Sequence, residues 1–355
     1  MPHFRALALV LAGALAWPSY AQTLTIVSWG GAYEAAQRRA VIAPFAAETG
    51  IAVEILAYDG TVDDLVQRSA AEGWDVIDML ADQARLACSR GLVQTLDPVD
   101  LIGDRAALAD FAPLKPTECA LPQNVYARVM AYDEGAFPGI KPSRIEHFFD
   151  IARFPGKRAV QRSPDGILEW ALLAEGVPPE QIYGLLSTDR GLRLAMRRLE
   201  TIRDDIKLWT DPAEPADMLA TGQAALAAGF NGRFFDLAQQ RRAPINVVWD
   251  GRIIGVEVWT MASTSDAPDA ARAFLRYASR ADSMARLAER IPYGPARRSA
   301  FDRIGQNPET GVPMRVYLPN APRHGARSLV RDSVWYANTE RLRTRRFEEW
   351  LAAGE

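Results

Sequence analysis

The sequence is poor in the residues on which most catalytic and metal centres depend. It contains three histidines and two cysteines, and none of them stands in a zinc-binding or metalloprotease spacing. The serine-hydrolase motif GxSxG and the phosphate-binding motif GxxxxGK followed by Ser or Thr are also missing. We therefore predict that the protein is not an enzyme and that it needs no cofactor and no metal. The alternative from another functional class is a secreted α/β hydrolase that uses a pair of carboxylates as acid and base.

Long runs of one charge are absent as well. The chain has 41 lysines and arginines and 44 aspartates and glutamates, a formal net charge of −3, and the two signs are interspersed. Without a basic patch, nucleic acid and anionic membrane surfaces are not expected partners. The 48% of hydrophobic and 24% of charged residues are typical of a folded globular protein. We expect a small-molecule partner instead.

A long uncharged apolar run occurs only at the N-terminus. Arg5 precedes the run ALALVLAGALA at residues 6–16, and Pro18 leads into the small residues before Gln22. This order is typical of a cleavable secretory signal, and the run is shorter than the about 20 residues that a bilayer-spanning helix needs. We predict a signal peptide over residues 1–21 and a mature chain that begins near Gln22 in the periplasm.

The two cysteines, Cys88 and Cys119, both lie in the predicted mature chain. In an exported protein, a single pair of cysteines is typical of one structural disulfide, whereas a redox site would need a CxxC motif, which is absent. We predict a disulfide between Cys88 and Cys119. In the chain-entropy model such a bond stabilises the fold by about 3 to 4 kcal/mol.

The mature chain alternates predicted strands and helices. A strand at residues 24–27 is followed by the tight turn Gly30-Gly31 and by a helix from Ala32, and further strands are predicted at 51–55 and 74–80. This order favours an α/β fold with a parallel or mixed sheet. In such folds ligands bind at the carboxyl ends of the strands.

A second alternation begins near residue 159. The predicted strands lie at 159–161, 224–230, 245–249 and 255–261, and a long amphipathic helix or helix pair lies at 329–351. A chain of 355 residues exceeds one ordinary hydrophobic core, so we expect more than one lobe.

The junction at residues 24–39 is the first candidate binding site. Its turn exposes the N–H groups of a helix N-terminus beside Trp29 and Tyr33. Donors, a dipole and aromatic faces together can hold a small ligand. The alternative is that Gly30-Gly31 only closes a strand-to-helix turn and that both rings belong to the core.

Aromatic and acidic residues stand at the predicted strand ends and loops. Ring faces attract a cation and a carboxylate neutralises it, so this combination can hold an ammonium group. A charge in the apolar strand around Glu257 is costly unless a ligand or an internal arginine pairs with it. The rings are Trp29, Tyr33, Trp209, Phe230, Trp249 and Trp259, and the acids are Asp78, Asp82, Glu169, Asp250 and Glu257.

Several segments, in this order, resemble the periplasmic solute-binding proteins of spermidine/putrescine-type ABC importers. They are WGGAY at 29–33, GWDV at 73–76, AGFNGR at 228–233, VEVW at 256–259 and IPYGP at 291–295. The segments FPGKR at 154–158 and EWALLAEGV at 169–177 fit the same group. The resemblance covers nearly the whole mature chain.

The resemblance implies a bilobed fold in which two α/β lobes, joined by hinge strands, close on one solute. It also implies a monomer that delivers the solute to an inner-membrane ABC permease. By analogy, lobe 1 would comprise residues 22–122 plus 260–297, and lobe 2 residues 123–259 plus 298–355. The hinges near Gln123 and Trp259 would lie close together.

The resemblance also implies site residues. Trp29 matches the aromatic residue of the first lobe, Phe230 the ring that stacks on the ligand, and Glu257 the carboxylate that pairs with an amine. The full predicted ligand-binding set is Trp29, Gly30, Gly31, Tyr33, Asp82, Trp209, Phe230, Asn231, Arg233, Glu257 and Trp259.

Three positions depart from the family pattern. Arg233 stands where the family has a second carboxylate, and Leu80 and Gly255 stand where polar or ring-bearing residues line a polyamine cleft. The planar fork of an arginine repels a diamine and accepts a carboxylate. The expected solute is therefore cationic and polyamine-like, or zwitterionic like an amino acid, with a neutral sugar as a further alternative.

Overall fold

The computed structural model describes residues 23–325 and 327–354, so the predicted signal peptide lies outside the described residues. A mixed sheet with covering helices runs through this part of the chain. Its strands are β1 Leu24–Ser28, β2 Val53–Ala57, β3 Val76–Leu80, β4 Leu121–Asp133, β5 Arg158–Gln161, β6 Ile206–Trp209, β7 Leu226–Phe230, β8 Ile245–Met261, β9 Gly294–Pro295 and β10 Ser328–Val330.

The helices pack around this sheet, and short 3-10 or π-helical turns connect several of them. They are α1 Gly31–Gln37, α2 Ala43–Thr49, α3 Val62–Arg68, α4 Ala81–Ser89, α5 Pro98–Ile102, α6 Ile167–Ala174, α7 Ile182–Leu186, α8 Asp189–Glu200, α9 Glu214–Ala220, α10 Asn231–Phe235, α11 Pro268–Ala278, α12 Ala281–Ala288, α13 Arg298–Phe301 and α14 Ser333–Ala352. No helix in the described ranges is both long and apolar enough to cross a bilayer.

The sheet order is β2-β1-β3-β8-β4-β7-β5-β6, with β10 beside β8 and β9 beside β4. Strands β1, β2 and β3 pair in parallel at one end of the sheet, and β5, β6 and β7 pair in parallel at the other end. The antiparallel strands β4 and β8 join the two ends. This arrangement of two α/β units with shared crossing strands confirms the predicted bilobed fold class.

The crossing strands differ from the sequence prediction. The predicted strands at 245–249 and 255–261 are one strand, β8, of 17 residues. On the partner strand β4, Arg128 pairs with Ile253 and Met130 pairs with Val248, so residues 249–252 bulge out of this ladder. Pairing with β4 and β10 therefore keeps residues 245–261 in one strand, although the polar segment at 249–252, taken alone, indicates a break between two strands.

Two further elements were not predicted correctly. Strand β6, Ile206–Trp209, was missed, and it is held at the sheet edge by parallel pairing with β5. The sequence pattern after the strand VYARVMAY also indicates a helix that begins near Ser143, but this segment forms only a 3-10 turn, Ile145–Phe148. Both are short segments that take their conformation from tertiary contacts rather than from a long periodic pattern.

Other predicted features are confirmed. Cys88 on α4 and Cys119 before β4 form the disulfide, with their Cα atoms 5.9 Å apart. Gly30 and Gly31 have φ angles of 69° and 60°, which a residue with a Cβ adopts only under strain, so they make the tight turn after β1. Leu121 and Trp259 are paired across β4 and β8, so the segments in which the hinges are predicted lie side by side. The hinges themselves and the lobe boundaries stay predictions.

Candidate functional site

A cavity of about 470 Å³ lies where the carboxyl ends of strands from both units meet the crossing strands. Its aromatic wall consists of Trp29, Tyr33, Tyr58, Tyr126, Phe230 and Tyr293. Its charged side chains are Asp59, Asp82, Arg128, Asp165, Asp211, Arg233, Glu257 and Arg331. The first candidate site, at the end of β1, is therefore one side of a larger cavity to which both units contribute.

Trp29 stands at the cavity wall directly after β1. Its ring lies 5.4 Å from the ring of Tyr58 and covers Gly60. A Cβ on Gly60 would come within 1.9 Å of the Trp29 ring, and Gly60 has a φ angle of 84°. A glycine is thus required both by the backbone and by the ring that rests on it.

The remaining rings form a continuous group under the cavity. Tyr126 lies 5.6 Å from Phe230 and 6.3 Å from Tyr293, and Tyr293 lies 5.6 Å from Tyr33. Gly255, which departs from the family pattern, makes room for this group, because a Cβ there would come within 2.1 Å of the Tyr126 ring. Packing against the Tyr126 ring therefore explains why residue 255 is a glycine in this chain.

Glu257 is a buried acid of this site, and no cation of the described residues stands beside it. Its side chain reaches the cavity from β8, only 7% of the residue is exposed, and Asn124 Nδ2 donates to its Oε2 at 2.8 Å. No lysine or arginine in residues 23–325 and 327–354 forms an ion pair with it. Burial raises the pKa of Glu257 to about 7. The internal salt bridge, the alternative to a ligand, is not present in the described residues.

Two arginines of the cavity have no carboxylate partner within the described part of the chain. Arg128 Nη2 donates to Gln161 Oε1 at 2.6 Å, and its guanidinium carbon lies 5.0 Å from the centre of the Phe230 ring. Arg233 lies in α10 next to Gly31 of the opposite unit, where a Cβ would stand 3.5 Å from Arg233 Nη1. Arg233 also lines the cavity, and both guanidinium groups can receive an anion.

The third arginine, Arg331, is already neutralised by the protein. Its Nε and Nη2 donate to the two oxygens of Asp82 at 3.0 and 2.9 Å, and Nη2 also donates to Asp165 at 3.0 Å. Arg343 contacts Asp165 from the other side. Burial works against the charge of Asp165, but Arg331 and Arg343 outweigh it and lower its pKa to about 2. Asp82 lines the cavity as predicted, yet its carboxylate is occupied.

Several predicted ligand residues lie outside the cavity wall. Trp209 and Trp259 are core residues: Trp209 Nε1 donates to the Ala228 carbonyl at 3.2 Å, and Trp259 packs edge-on against Phe274 at 5.2 Å. Asn231 is buried and accepts from Ala127 N at 2.9 Å. Gly30 and Gly31 shape the turn behind Trp29 without lining the cavity.

Three other candidates have structural partners away from the cavity. Trp249 stacks on His324 with their ring centres 3.8 Å apart. Glu169 accepts from the hydroxyl of Tyr336, and Asp250 accepts from Arg327 at 3.2 Å.

Most of the cavity wall was missed by the sequence prediction, including three of its rings and five of its charged residues. They are Tyr58, Tyr126, Tyr293, Asp59, Arg128, Asp165, Asp211 and Arg331. Arg128 could have been found, because it is a charge inside the apolar strand VYARVMAY and carries the same signal as Glu257. Arg331 has no such signal, since only the fold brings residue 331 to residues 82 and 165.

Comparisons with known proteins agree with this geometry. A family model described as bacterial extracellular solute-binding protein matches residues 40–310. The γ-aminobutyric acid-binding protein of Pseudomonas aeruginosa is 32% identical over 346 residues, which cover 96% of this chain and 94% of that protein.

Two solved structures have the same fold. An ABC transporter substrate-binding protein from Bradyrhizobium japonicum is 26% identical with a TM-score of 0.82, covering 92% of this chain and 99% of that chain. The Atu4243 GABA receptor is also 26% identical, with a TM-score of 0.77 and coverages of 93% and 97%.

The fold and the cleft between its units define a two-lobed solute-binding protein of an ABC importer. The chain belongs to the bacterial extracellular solute-binding protein family. Proteins of this class are not enzymes, and they deliver a small solute to a membrane permease. The hydrolase alternative therefore has no support.

Proposed function

We propose that this receptor binds a small zwitterionic solute, with the ammonium group at Glu257 and the carboxylate at Arg128 and Arg233. The observation that carries the proposal is one cavity whose buried acid and two arginines have no oppositely charged partner among the described residues. A bound zwitterion supplies both missing charges, and hydrogen bonds to charged groups contribute about 1.5 to 3 kcal/mol each. The rings around Tyr126 form an apolar wall beside these charged groups.

A polyamine fits this charge distribution less well. The second ammonium group of a diamine needs a second acid, and Asp82 and Asp165 are both occupied by Arg331. The two remaining acids, Asp59 and Asp211, are exposed at the mouth of the cavity. The similarity to γ-aminobutyric acid-binding proteins supports an amino acid whose two charges stand at opposite ends.

We further propose that the solute drives closure of the two lobes, because a ligand that contacts both lobes binds the closed state more tightly. Arg233 belongs to one unit and stands beside Gly31 of the other, so an anion held there would contact both. The lobe boundaries at 22–122 plus 260–297 and 123–259 plus 298–355 belong to this proposal. So do the signal peptide, the periplasmic location and the monomeric state.

A test of the solute class uses three four-carbon compounds that differ only in their end groups. The mature chain, freed of solute by unfolding and refolding, is titrated with γ-aminobutyrate, putrescine and succinate. We expect γ-aminobutyrate alone to bind, and at 100 times its Kd to stabilise the fold by about 2.7 kcal/mol in a thermal-unfolding experiment. Binding of putrescine instead would contradict the proposal and restore the polyamine assignment.

Matched variants assign the two ends of the solute. Glu257→Gln and Arg233→Met are each expected to weaken γ-aminobutyrate binding by about tenfold or more, because each removes one charge pair. The exposed residues Glu180 and Arg193 provide the same chemical changes away from the cavity, as Glu180→Gln and Arg193→Met. Calorimetric titration measures all four, and equal affinities in the cavity variants and the controls would exclude these contacts.

A further inference from the structure

Behind Glu257, a buried chain of hydrogen bonds leads to a second acid, Asp78. Asn124 Nδ2 donates to Glu257 Oε2 at 2.8 Å and to the Tyr33 hydroxyl at 2.6 Å. The Tyr33 hydroxyl in turn donates to Asp78 Oδ2 at 2.9 Å. Gln37 Nε2 donates to the same oxygen of Asp78 at 2.6 Å. Asp78 and Gln37 are fully buried, so this chain joins the cavity to the interior of the first unit.

Within the part of the chain that the structure describes, no cation is among the groups that face Asp78 and Glu257. Four tyrosines surround them: Tyr33 on α1, Tyr58 after β2, Tyr126 on β4 and Tyr293 before β9. Burial raises the pKa of each tyrosine, so all four are neutral. Beyond Tyr58 stand the acids Asp59 and Asp64.

The arginines of the cavity stand farther out. Arg128 and the Asp82–Arg331 pair lie on the side of Tyr126, and Arg233 lies on the side of Tyr293. Within the described residues, none of these arginines forms an ion pair with Asp78 or Glu257.

Asp78 and Glu257 have one hydrogen-bond donor in common, the Tyr33 hydroxyl. The Tyr33 hydroxyl accepts from Gln37 and Asn124, and its one proton can go to Asp78 or to Glu257, which is also within its hydrogen-bond reach. Gln37 and Asn124 supply Asp78 and Glu257 with one amide donor each, but no cation of the described residues pairs with either acid. Two negative charges at these buried positions are therefore strongly disfavoured. Burial and then the charge of Glu257 raise the pKa of Asp78 well above its usual value.

We propose that Asp78 stays protonated and acts as a positioning residue that holds Tyr33, and through it Glu257, in place. Glu257, which faces the cavity, is the acid that gives up its proton when the solute's ammonium group arrives. The O–H bond of the Glu257 carboxyl breaks, the proton leaves through the cavity to water, and the carboxylate pairs with the ammonium. This inference rests on the proposed zwitterionic solute, and it makes solute capture proton-linked.

The sign of the pH effect follows directly. Protonated Glu257 cannot form the ion pair, so the affinity for an ammonium-bearing solute falls as the pH falls below the pKa of about 7. Between pH 7.5 and pH 5.5 the Kd of γ-aminobutyrate is expected to rise by at least about tenfold, because each pH unit below the pKa costs up to tenfold. The charged groups of the solute itself do not titrate in this range.

Calorimetry measures how many protons the protein releases when the solute binds. At pH 7 the heat of γ-aminobutyrate binding is compared in two buffers with different ionisation enthalpies, which gives the number of protons released. We expect release of about half a proton per solute in the wild type, from a group with its pKa near the working pH. Glu257→Gln should release none and should lose the pH dependence. No release in the wild type would overturn the proposal.

Two substitutions of Asp78 test whether this side chain is neutral or charged. Asp78→Asn keeps a neutral hydrogen-bonding group of the same shape, so affinity within about threefold of the wild type and unchanged proton release are expected. Asp78→Leu removes the partner of Tyr33 and should weaken binding by about tenfold or more. If Asp78 is charged instead, Asp78→Asn relieves Glu257 of a negative neighbour and abolishes the proton release, which would overturn the proposal.

A measurement without solute keeps the inference separate from the proposed function. Infrared spectra of the solute-free protein at pH 8.5 should show the C=O stretch of one buried protonated carboxyl, which Glu257→Gln retains and Asp78→Asn loses. Absence of this band in the wild type would overturn the assignment of the proton to Asp78. If the band is present but γ-aminobutyrate does not bind, only the proposed solute is wrong.

Discussion

At the scale of single residues, the partner of a charged group decides its role in this cleft. Asp82 and Glu257 are both buried carboxylates of the cavity wall. Arg331 binds both oxygens of Asp82, so Asp82 belongs to the framework, whereas no cation of the described protein reaches Glu257. Likewise, Arg331 is paired with Asp82, whereas Arg233 has no carboxylate partner among the described residues. Residue type alone therefore does not identify the ligand contacts.

Gly60 offers a test of the aromatic wall. Gly60→Ala is expected to destabilise the fold by about 1 to 2 kcal/mol through its left-handed backbone, and also to displace Trp29, whose ring a Cβ would meet at 1.9 Å. Affinity for γ-aminobutyrate should fall with it. Gly73 has a φ angle of 63° and no atom within 4 Å of the place where a Cβ would stand, so Gly73→Ala carries the backbone strain alone and is the control. Thermal unfolding and titration of both variants check this, and equal affinities would remove Trp29 from the site.

At the scale of elements, short connections hold the cavity wall in place. The turn after β1 positions Trp29, and α4 begins directly after β3, which brings Asp82 to the cavity. The far end of α4 carries Cys88, which is bonded to Cys119 just before the crossing strand β4. The disulfide therefore ties a helix of the first unit to the start of a hinge strand.

The disulfide is expected to contribute to stability and not to solute binding. Its loop spans a sequence separation of 31 residues, for which the chain-entropy model gives about 3 to 4 kcal/mol. Reduction of the wild type, or the double substitution Cys88→Ser with Cys119→Ser, should lower the denaturation midpoint by equal amounts. A reducing agent should then have no further effect on the double variant. A change in affinity larger than the change in stability would contradict the purely structural role.

At the scale of the whole molecule, the C-terminal segment connects the two units. Trp335, Tyr336 and Phe347 of α14 pack into the core of the second unit. Arg331, just before α14, reaches Asp82 of the first unit and Asp165 of the second. These buried ion pairs join Asp82 to Asp165 on one side of the cavity. If the two units close as we propose, the pairs favour the closed arrangement independently of the solute.

Removal of this bridge should open the molecule. Asp82→Asn takes away the charge that Arg331 meets on the first unit, so the solute-free variant is expected to have a larger radius of gyration than the wild type in small-angle scattering. Saturating γ-aminobutyrate should restore the compact form. The exposed Asp63, 86% accessible, provides the control Asp63→Asn. An unchanged radius in Asp82→Asn would show that the bridge does not govern closure.

The sequence by itself determined the features that depend on neighbouring residues. The apolar strand, diglycine and helix at the first junction, the order of α and β elements, and the lone cysteine pair all have local or compositional signals. Trp29, Tyr33 and Phe230 were identified at predicted strand ends and turns, Glu257 as a charge in an apolar strand, and Arg233 through the family resemblance. Each of these five lines the cavity.

Only the tertiary structure decided the rest. Strand β8 continues through a polar segment because β4 and β10 pair with it, and β6 is a strand because β5 lies beside it. Arg331 neutralises Asp82 although they are far apart in the chain, whereas no cation of the described residues neutralises the buried Glu257. Pairing between distant segments has no local periodic signal, so the fold alone determines which charges remain for a solute.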